Sequence, residues 1–245
     1  LSWFKPQPKR LPKRLPRRQP KKVLQLGFFY PENARGLWLL DTGEGDTAYD
    51  SSDNGNDGTI YGANWTDGKV GGALEFDGVD DYTEIPNSPS LNPKTITILA
   101  WVYLTDYPPT YGSVVVGKVS TSNVGGYTAG VSDTGRVSWW IYDAGSWHGG
   151  WDFGQVLSKN EWYHLAFVYD GSEMKDYVNG SLDNTLSYSG AIDSITVPVH
   201  LAHHLFSDTY LPAIIDEVRI YDRVLSEAEV SLLYEISKCT EEWNL

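Results

Sequence analysis

The chain has 245 residues, a length that one large β-sandwich fills and that supplies a full core without covalent staples. Cys239 is the only cysteine, which excludes an intramolecular disulfide, and no run of about 18 apolar residues marks a membrane span. The net charge of −13 hides a split: residues 1–35 carry ten Lys or Arg against Glu32 alone, while the remainder carries nine against 31 acidic residues, so a basic segment of net +9 precedes an acidic body of net −22.

The basic segment comes first. Pro8-Lys9-Arg10-Leu11, Pro12-Lys13-Arg14-Leu15, Pro16-Arg17-Arg18-Gln19 and Pro20-Lys21-Lys22-Val23 repeat with a four-residue period. Proline at each fourth position removes donors and favours polyproline II, and the like charges repel. Residues 1–27 read as an extended, mostly disordered arm, and 1–35 as a basic Pro-rich arm or linker. As an interaction surface it would take an anionic polymer such as nucleic acid, or anionic lipid. Read plainly, it is a linker or an upstream fragment. The chain opens on Leu1, which reads as a processed product or a piece of a longer protein.

From residue 36 the sequence reads as strand after strand. Gly36–Leu40 is a short apolar run ended by Asp41-Thr42-Gly43; Ala73–Phe76 stops at Asp77-Gly78; Asp81–Ile85 alternates until Pro86. Thr95–Tyr103 is the clearest core strand, followed by Val137–Tyr142 and Trp162–Tyr169. Asp170-Gly171 and Asn179-Gly180 are hairpin signals on either side of Lys175–Val178, and Ile214–Tyr221 is the last strand. Such spacing, with 24 Gly, 13 Pro, 16 Tyr and 10 Trp, predicts an all-β antiparallel sandwich. Ser226 with Glu229 makes a capping box for one helix whose apolar face is Val230, Leu233 and Tyr234, expected against one rim of the sandwich.

Four segments in this order resemble the laminin G-like jelly-roll family of the concanavalin A-like lectin/glucanase superfamily. They are Leu37–Thr59 with its Asp-Ser-Ser-Asp-Asn-Gly-Asn-Asp-Gly string, Gly68–Tyr82, Glu161–Gly180, and Ile215–Ser226 with Glu229. The resemblance implies a two-sheet jelly roll over 36–237 with one concave face, a C-terminal tail at 238–245, and use as a binding or spacer module outside the cell or on a cell or virion surface.

The loop Asp50–Gly58 packs hard oxygen donors of the kind calcium takes, without the glutamate of an EF-hand. In related sandwiches an aspartate on the last strand completes such a site. The expected calcium ligands are therefore Asp50, Asn54, Asn56 and Asp216; the plainer alternative is Asx turns at Asp50 and Asn54, with Asp216 bonded to a neighbouring loop.

A second cluster runs Trp139–Asp152. Alternation sends Trp139 and Trp140 to opposite faces, and Trp147 and Trp151 fall in what reads as a Gly-rich loop. Flat rings beside polar groups suit sugars, which makes Trp140, Trp147, Trp151, Asp143, His148 and Tyr111 the candidate carbohydrate-binding residues, with Tyr107 and Tyr127 as further contributors. His200, His203 and His204 lack partners at zinc-site spacing. The paired-carboxylate pattern of glucanases, Glu-x-Asp-x-x-Glu, fails at Glu75-Phe76-Asp77-Gly78-Val79-Asp80, which ends on Asp and sits in a turn. The sequence thus predicts a calcium-stabilised, non-catalytic carbohydrate-binding or adhesion module of a secreted or surface protein, taking a glycan or cell-surface polysaccharide. Its rivals are a concanavalin A-like glycoside hydrolase or lyase and an assembly module without a glycan site.

Overall fold

The computed structural model describes residues 33–109, 113–120 and 124–239, with the backbone alone at 151–153 and 239. Residues 1–32 of the basic arm, Tyr111, and the tail from 240 onward lie outside the described residues. In chain order the first strands are β1 (Gly36–Trp38), β2 (Thr47–Ala48), β3 (Gly58–Tyr61), β4 (Asn64–Asp67), β5 (Gly72–Asp77), β6 (Tyr82–Ile85), β7 (Ile96–Leu104), β8 (Ser113–Val119) and β9 (Gly125–Val131). They are followed by β10 (Arg136–Asp143), β11 (Ser146–Val156), β12 (Trp162–Tyr169), β13 (Glu173–Val178), β14 (Ser181–Ser187), β15 (Val199–Leu201), β16 (His203–His204), β17 (Thr209–Tyr210), β18 (Pro212–Tyr221) and the helix α1 (Glu227–Cys239).

Two antiparallel sheets face each other. The first runs β14-β13-β12-β7-β18-β5-β4, with β1 also on β18; the second runs β11-β10-β9-β8-β15-β6-β3-β2. Every strand that lies in both layers' overlap must bury one face, and the period-two pattern obeys this. Leu74 and Phe76 of β5, Ile98, Ala100 and Val102 of β7, and Leu165 and Phe167 of β12 meet Val115, Ala129, Trp139, Ile141, Ile85 and Leu201 of the second sheet in one core. Asn179 at φ 52° and Gly180 at φ 75° form the two-residue hairpin turn read from the sequence.

The capping box is made: Ser226 Oγ accepts from the Glu229 N–H at 3.3 Å, and the Glu229 carboxylate accepts from the Ser226 N–H at 2.8 Å. The helix departs from the sequence expectation in its docking. It covers the outward face of the first sheet rather than a rim, because β7 and β12 present two large rings there. Trp101 donates its indole N–H to Ser237 Oγ at 2.9 Å, and Tyr234 packs on Trp101 and His164.

His164, under the helix, is fully enclosed. Burial, with Arg219 nearby, pushes its pKa down to about 3. The folded value lies below the unfolded one, so the unfolded chain takes up the proton first, and stability is lost as pH falls from about 6.5 toward 3. At pH 5 this one group costs about 2 kcal/mol. We expect His164→Gln to lower the pH dependence of the urea midpoint between pH 7 and 5 by about one proton's worth relative to the unmodified chain. An unchanged slope would show that His164 does not titrate on unfolding.

Candidate functional site

The outward face of the second sheet is fixed by register. Thr59 lies opposite Glu84, Glu84 opposite His200, His200 opposite Gly117, Gly117 opposite Thr128, Thr128 opposite Trp140, and Trp140 opposite Gly149. Opposed residues share a face, so these seven make one row across β3, β6, β15, β8, β9, β10 and β11.

At one end stand the tryptophans. Trp140 is half-buried on β10, while Trp139 points into the core, as alternation requires. Trp147 is opposite Tyr142 and meets its ring edge-on at 5.1 Å. The indole lies over Gly125, where no Cβ has room, and stays half-exposed. Here the structure corrects the sequence reading: Trp147 and Trp151 belong to an eleven-residue strand, not a loop. Ala144 and Gly145, both at positive φ, make the turn, and Gly149 and Gly150 lie flat opposite Trp140 and Trp139, sparing space for indoles.

The predicted glycan cluster divides. Trp140 and Trp147 face outward. Asp143 and His148 share the other face, His148 being opposite Ile141 of the core. There His148 stacks on Tyr188 at 3.8 Å, and Asp143 accepts the Tyr188 hydroxyl at 2.8 Å. These two are holding a loop. Tyr127 is fully buried and donates to the Leu91 carbonyl, and Tyr107 donates to the Leu157 carbonyl. The Trp151 side chain and Tyr111 lie outside the described atoms.

At the other end of the row stands a cluster that the sequence reading passed over. Tyr61 and Tyr82 stack at 4.6 Å, and Tyr82 packs against His200 and His203. His203 stacks on Tyr210 of the short β16–β17 hairpin at 4.3 Å. His200 Nε2 lies 3.4 Å from the Glu84 carboxylate and His203 Nε2 lies 3.2 Å from Asp208. The only signal in the sequence was the His200–His204 segment, weighed there solely as a zinc site.

The loop of 50–57 is closed on itself. The Asp50 carboxylate accepts from the N–H groups of Leu37, Ser52 and Asn56 and from Ser52 Oγ, all within 2.9 Å. Asn56 donates to the Arg35 carbonyl and to Ser90 Oγ; Asn54 donates to the Ala34 carbonyl. These bonds pin β1 and leave Asp50 no unshared acceptor for an ion.

Asp216 sits elsewhere, on the β18 bulge where Glu217 takes φ 53°. Its Oδ2 accepts from the Val70 N–H at 2.8 Å; its Oδ1 is buried with no hydrogen-bond partner. Burial, with Glu217 and Asp41 adding their charge, pushes its pKa up to about 9. Near it lie the Asp41 carboxylate, which accepts from the Gly72 N–H, and the Gly72 carbonyl, which with Asp216 Oδ2 crowds any Cβ at Gly68. A buried carboxylate with an orphan oxygen, among other oxygens, fits the calcium that the fold family implies; Asp50, Asn54 and Asn56 do not.

The chain's glucanase-like string is spent on a turn. Asp77 Oδ1 accepts from the Val79 and Asp80 N–H groups, and Asp81 accepts from the Asp77 N–H.

A profile of the concanavalin A-like lectin/glucanases superfamily matches residues 77–231, and the chain belongs to that superfamily. Among solved structures it is similar to domain 4 of AbnA, a GH43 extracellular arabinanase from Geobacillus stearothermophilus, in complex with arabinotriose. That match has 20% identity and a TM-score of 0.66, and covers 82% of this chain and 98% of that one. It is similar to the botulinum neurotoxin serotype G binding domain at 18% identity and a TM-score of 0.67, with 83% of this chain and 51% of that one covered. The binding domain of Paraclostridial Mosquitocidal Protein 1 gives 18% identity, a TM-score of 0.65, and coverage of 82% and 52%. The chain therefore spans about half the length of the toxin domains, and at these identities the likeness is one of fold. No curated protein matches the sequence. No helix among the described residues is long and apolar enough to cross a membrane.

Because Asp50 is a structural acceptor, Asp50→Ala is expected to destabilise the fold by about 3 kcal/mol, leaving buried N–H groups unsatisfied. The loss should be the same in calcium and in chelator. A loss confined to calcium-containing buffer would return Asp50 to the metal.

Proposed function

We propose that this chain is a non-catalytic carbohydrate-binding module of a secreted or surface protein, stabilised by calcium. The observation that carries the binding reading is the half-exposed pair Trp140 and Trp147, outward on the sheet face opposite to the core. Trp147 is held by Gly125 beneath it and Tyr142 beside it, so a sugar meets a ring already fixed in place and pays little ordering entropy. Indole faces stack on sugar C–H groups. The arabinanase domain was solved with arabinotriose, which supports arabino-oligosaccharides as the first probe. The toxin domains, named for binding, support a module that attaches a larger protein to a surface.

Calcium would be held by Asp216 and Asp41 with the Gly72 carbonyl. It would neutralise a carboxylate that otherwise sits buried and orphaned, and tie β18 to the 68–72 turn.

On a glycan array, followed by calorimetry on the best hit, we expect Trp147→Ala to weaken binding at least tenfold, about 1.4 kcal/mol. Intact binding in that variant removes Trp147 from the site, and an array without hits retires the glycan reading. Separately, calcium should raise the melting temperature above that in chelator, and Asp216→Asn should abolish the difference. Equal melting temperatures in the unmodified chain would count against the metal.

A further inference from the structure

At one edge of the sandwich a side chain joins the two sheets. β14 ends the first sheet and β11 ends the second, and Asp183 of β14 accepts from the Gln155 N–H of β11 at 3.0 Å. The β13–β14 register slips by one residue here. Asp176 lies opposite Asn184 and Tyr177 opposite Leu182, so Asp183 is the extra residue of a bulge. Its carboxylate lies against Gly154, at φ 67°, where no Cβ would have room.

Behind this bridge is Asp176. On β13 it alternates with Met174 and Val178, both in the core, and on β12 it faces Phe167, also in the core. The period of two therefore turns it inward, and a carboxylate takes a place that the pattern gives to an apolar side chain. It is 2% exposed. The Asn184 side chain bonds to it, yet its Oδ2 has no hydrogen-bond partner.

Neither state of this group is satisfied by the protein. Ionised, Oδ2 lacks a donor; protonated, its O–H lacks an acceptor. The charge that acts on it is a second carboxylate: burial first, and then Asp183, push its pKa up to about 7. The basic side chains of adjacent strands are engaged elsewhere. Lys175 alternates to the other face of β13 and pairs with Glu173 at 2.8 Å, and Arg136 donates to the Gly154 carbonyl.

A bound cation would answer both the orphan oxygen and the paired charge. The donors are hard oxygens, which suit a divalent ion of the calcium class, with water completing the shell. Asp183 is half-buried and Gln155 exposed, so the place is reached from solvent at the sheet edge.

We propose that Asp176 and Asp183, with the Asn184 side chain beside them, form a cation site that takes calcium and closes the sandwich edge between β14 and β11. It shares no residue with the Asp216 site and does not rest on the glycan reading.

The test is calorimetric titration of calcium into Asp216→Asn, which removes the other calcium reading. One calcium should bind with a Kd on the order of 0.1–1 mM, and calcium should raise the melting temperature of this variant. Adding Asp176→Asn should abolish both effects. Adding Asp183→Asn, which keeps an oxygen for the Gln155 N–H, should weaken binding by about tenfold or more, as one carboxylate ligand is lost. Asp176→Asn keeps the shape and removes a buried charge, so its melting temperature in chelator should equal or exceed that of its parent. In the otherwise unmodified chain, Asp176→Asn should lower the calcium stoichiometry by one, a readout that does not depend on how well Asp216→Asn folds. Magnesium, which demands a stricter octahedron, should bind more weakly than calcium. Calcium binding that survives Asp176→Asn with unchanged stoichiometry overturns the site. A calcium response lost wholly in Asp216→Asn also overturns it, and leaves the Asp216 reading standing. Tighter binding of magnesium overturns the ion class.

Discussion

The structure depends on one constraint: the inward face of the second sheet has to match the first sheet, and its outward face is then determined. Ile60, Ile85, Leu201, Val115, Ala129 and Ile141 are drawn into the core. With a side-chain period of two, that choice alone places Thr59, Glu84, His200, Thr128 and Trp140 outward. A slip of one residue in β10 would bury Trp140 and expose Trp139, losing several kcal/mol of aromatic burial. The outward face therefore needs no separate device to hold its spacing; the core sets it. This is also why the row is continuous over seven strands although it is assembled from segments as far apart in sequence as Thr59 and His200.

The first sheet uses its outward face differently. Helix α1 covers Trp101 and His164, and beside it β18 buries Asp216, Glu217 and Arg219. Arg219 pairs with Glu217, so that acid is compensated within the strand. Asp216 receives backbone N–H groups while its Oδ1 stays unbonded, and charge left in that position is costly unless a cation or a proton joins it. The two sheets thus divide the labour. One carries the helix and the buried polar network; the other keeps rings and hydroxyls within reach of solvent.

Much of the fold was legible in the sequence. β7, β12 and β18 are long apolar runs, the Asn179-Gly180 turn needs positive φ, and Ser226 with Glu229 closes a capping box; each rests on local chemistry that needs no partner strand. The candidate site was legible only in part, for two physical reasons. Glycine was read as a turn former at Gly149 and Gly150, whereas here it makes room opposite indoles within a strand. Asp143 and His148 were grouped with Trp147 by nearness in sequence, but successive strand residues face opposite ways, and the pair went to Tyr188 instead. The calcium loop shows the same limit. Asp50, Asn54 and Asn56 have the composition of an ion site, and only the fold shows that backbone N–H groups of β1 and its own loop already occupy the Asp50 oxygens.

The candidate glycan residues named from the sequence all lie outside the four family segments. The tyrosine–histidine cluster on the same sheet does not, because Tyr82 is the last residue of the motif Asp77-Gly78-Val79-Asp80-Asp81-Tyr82. Asp81 is buried, accepts from the Asp77 N–H, and stands against Gly62, whose φ of 76° and lack of a Cβ let the chain turn directly after Tyr61. The acidic turn and that glycine therefore hold Tyr61 and Tyr82 side by side at their stacking distance. A motif that closes a turn for the fold thereby also sets the separation of two outward-facing rings.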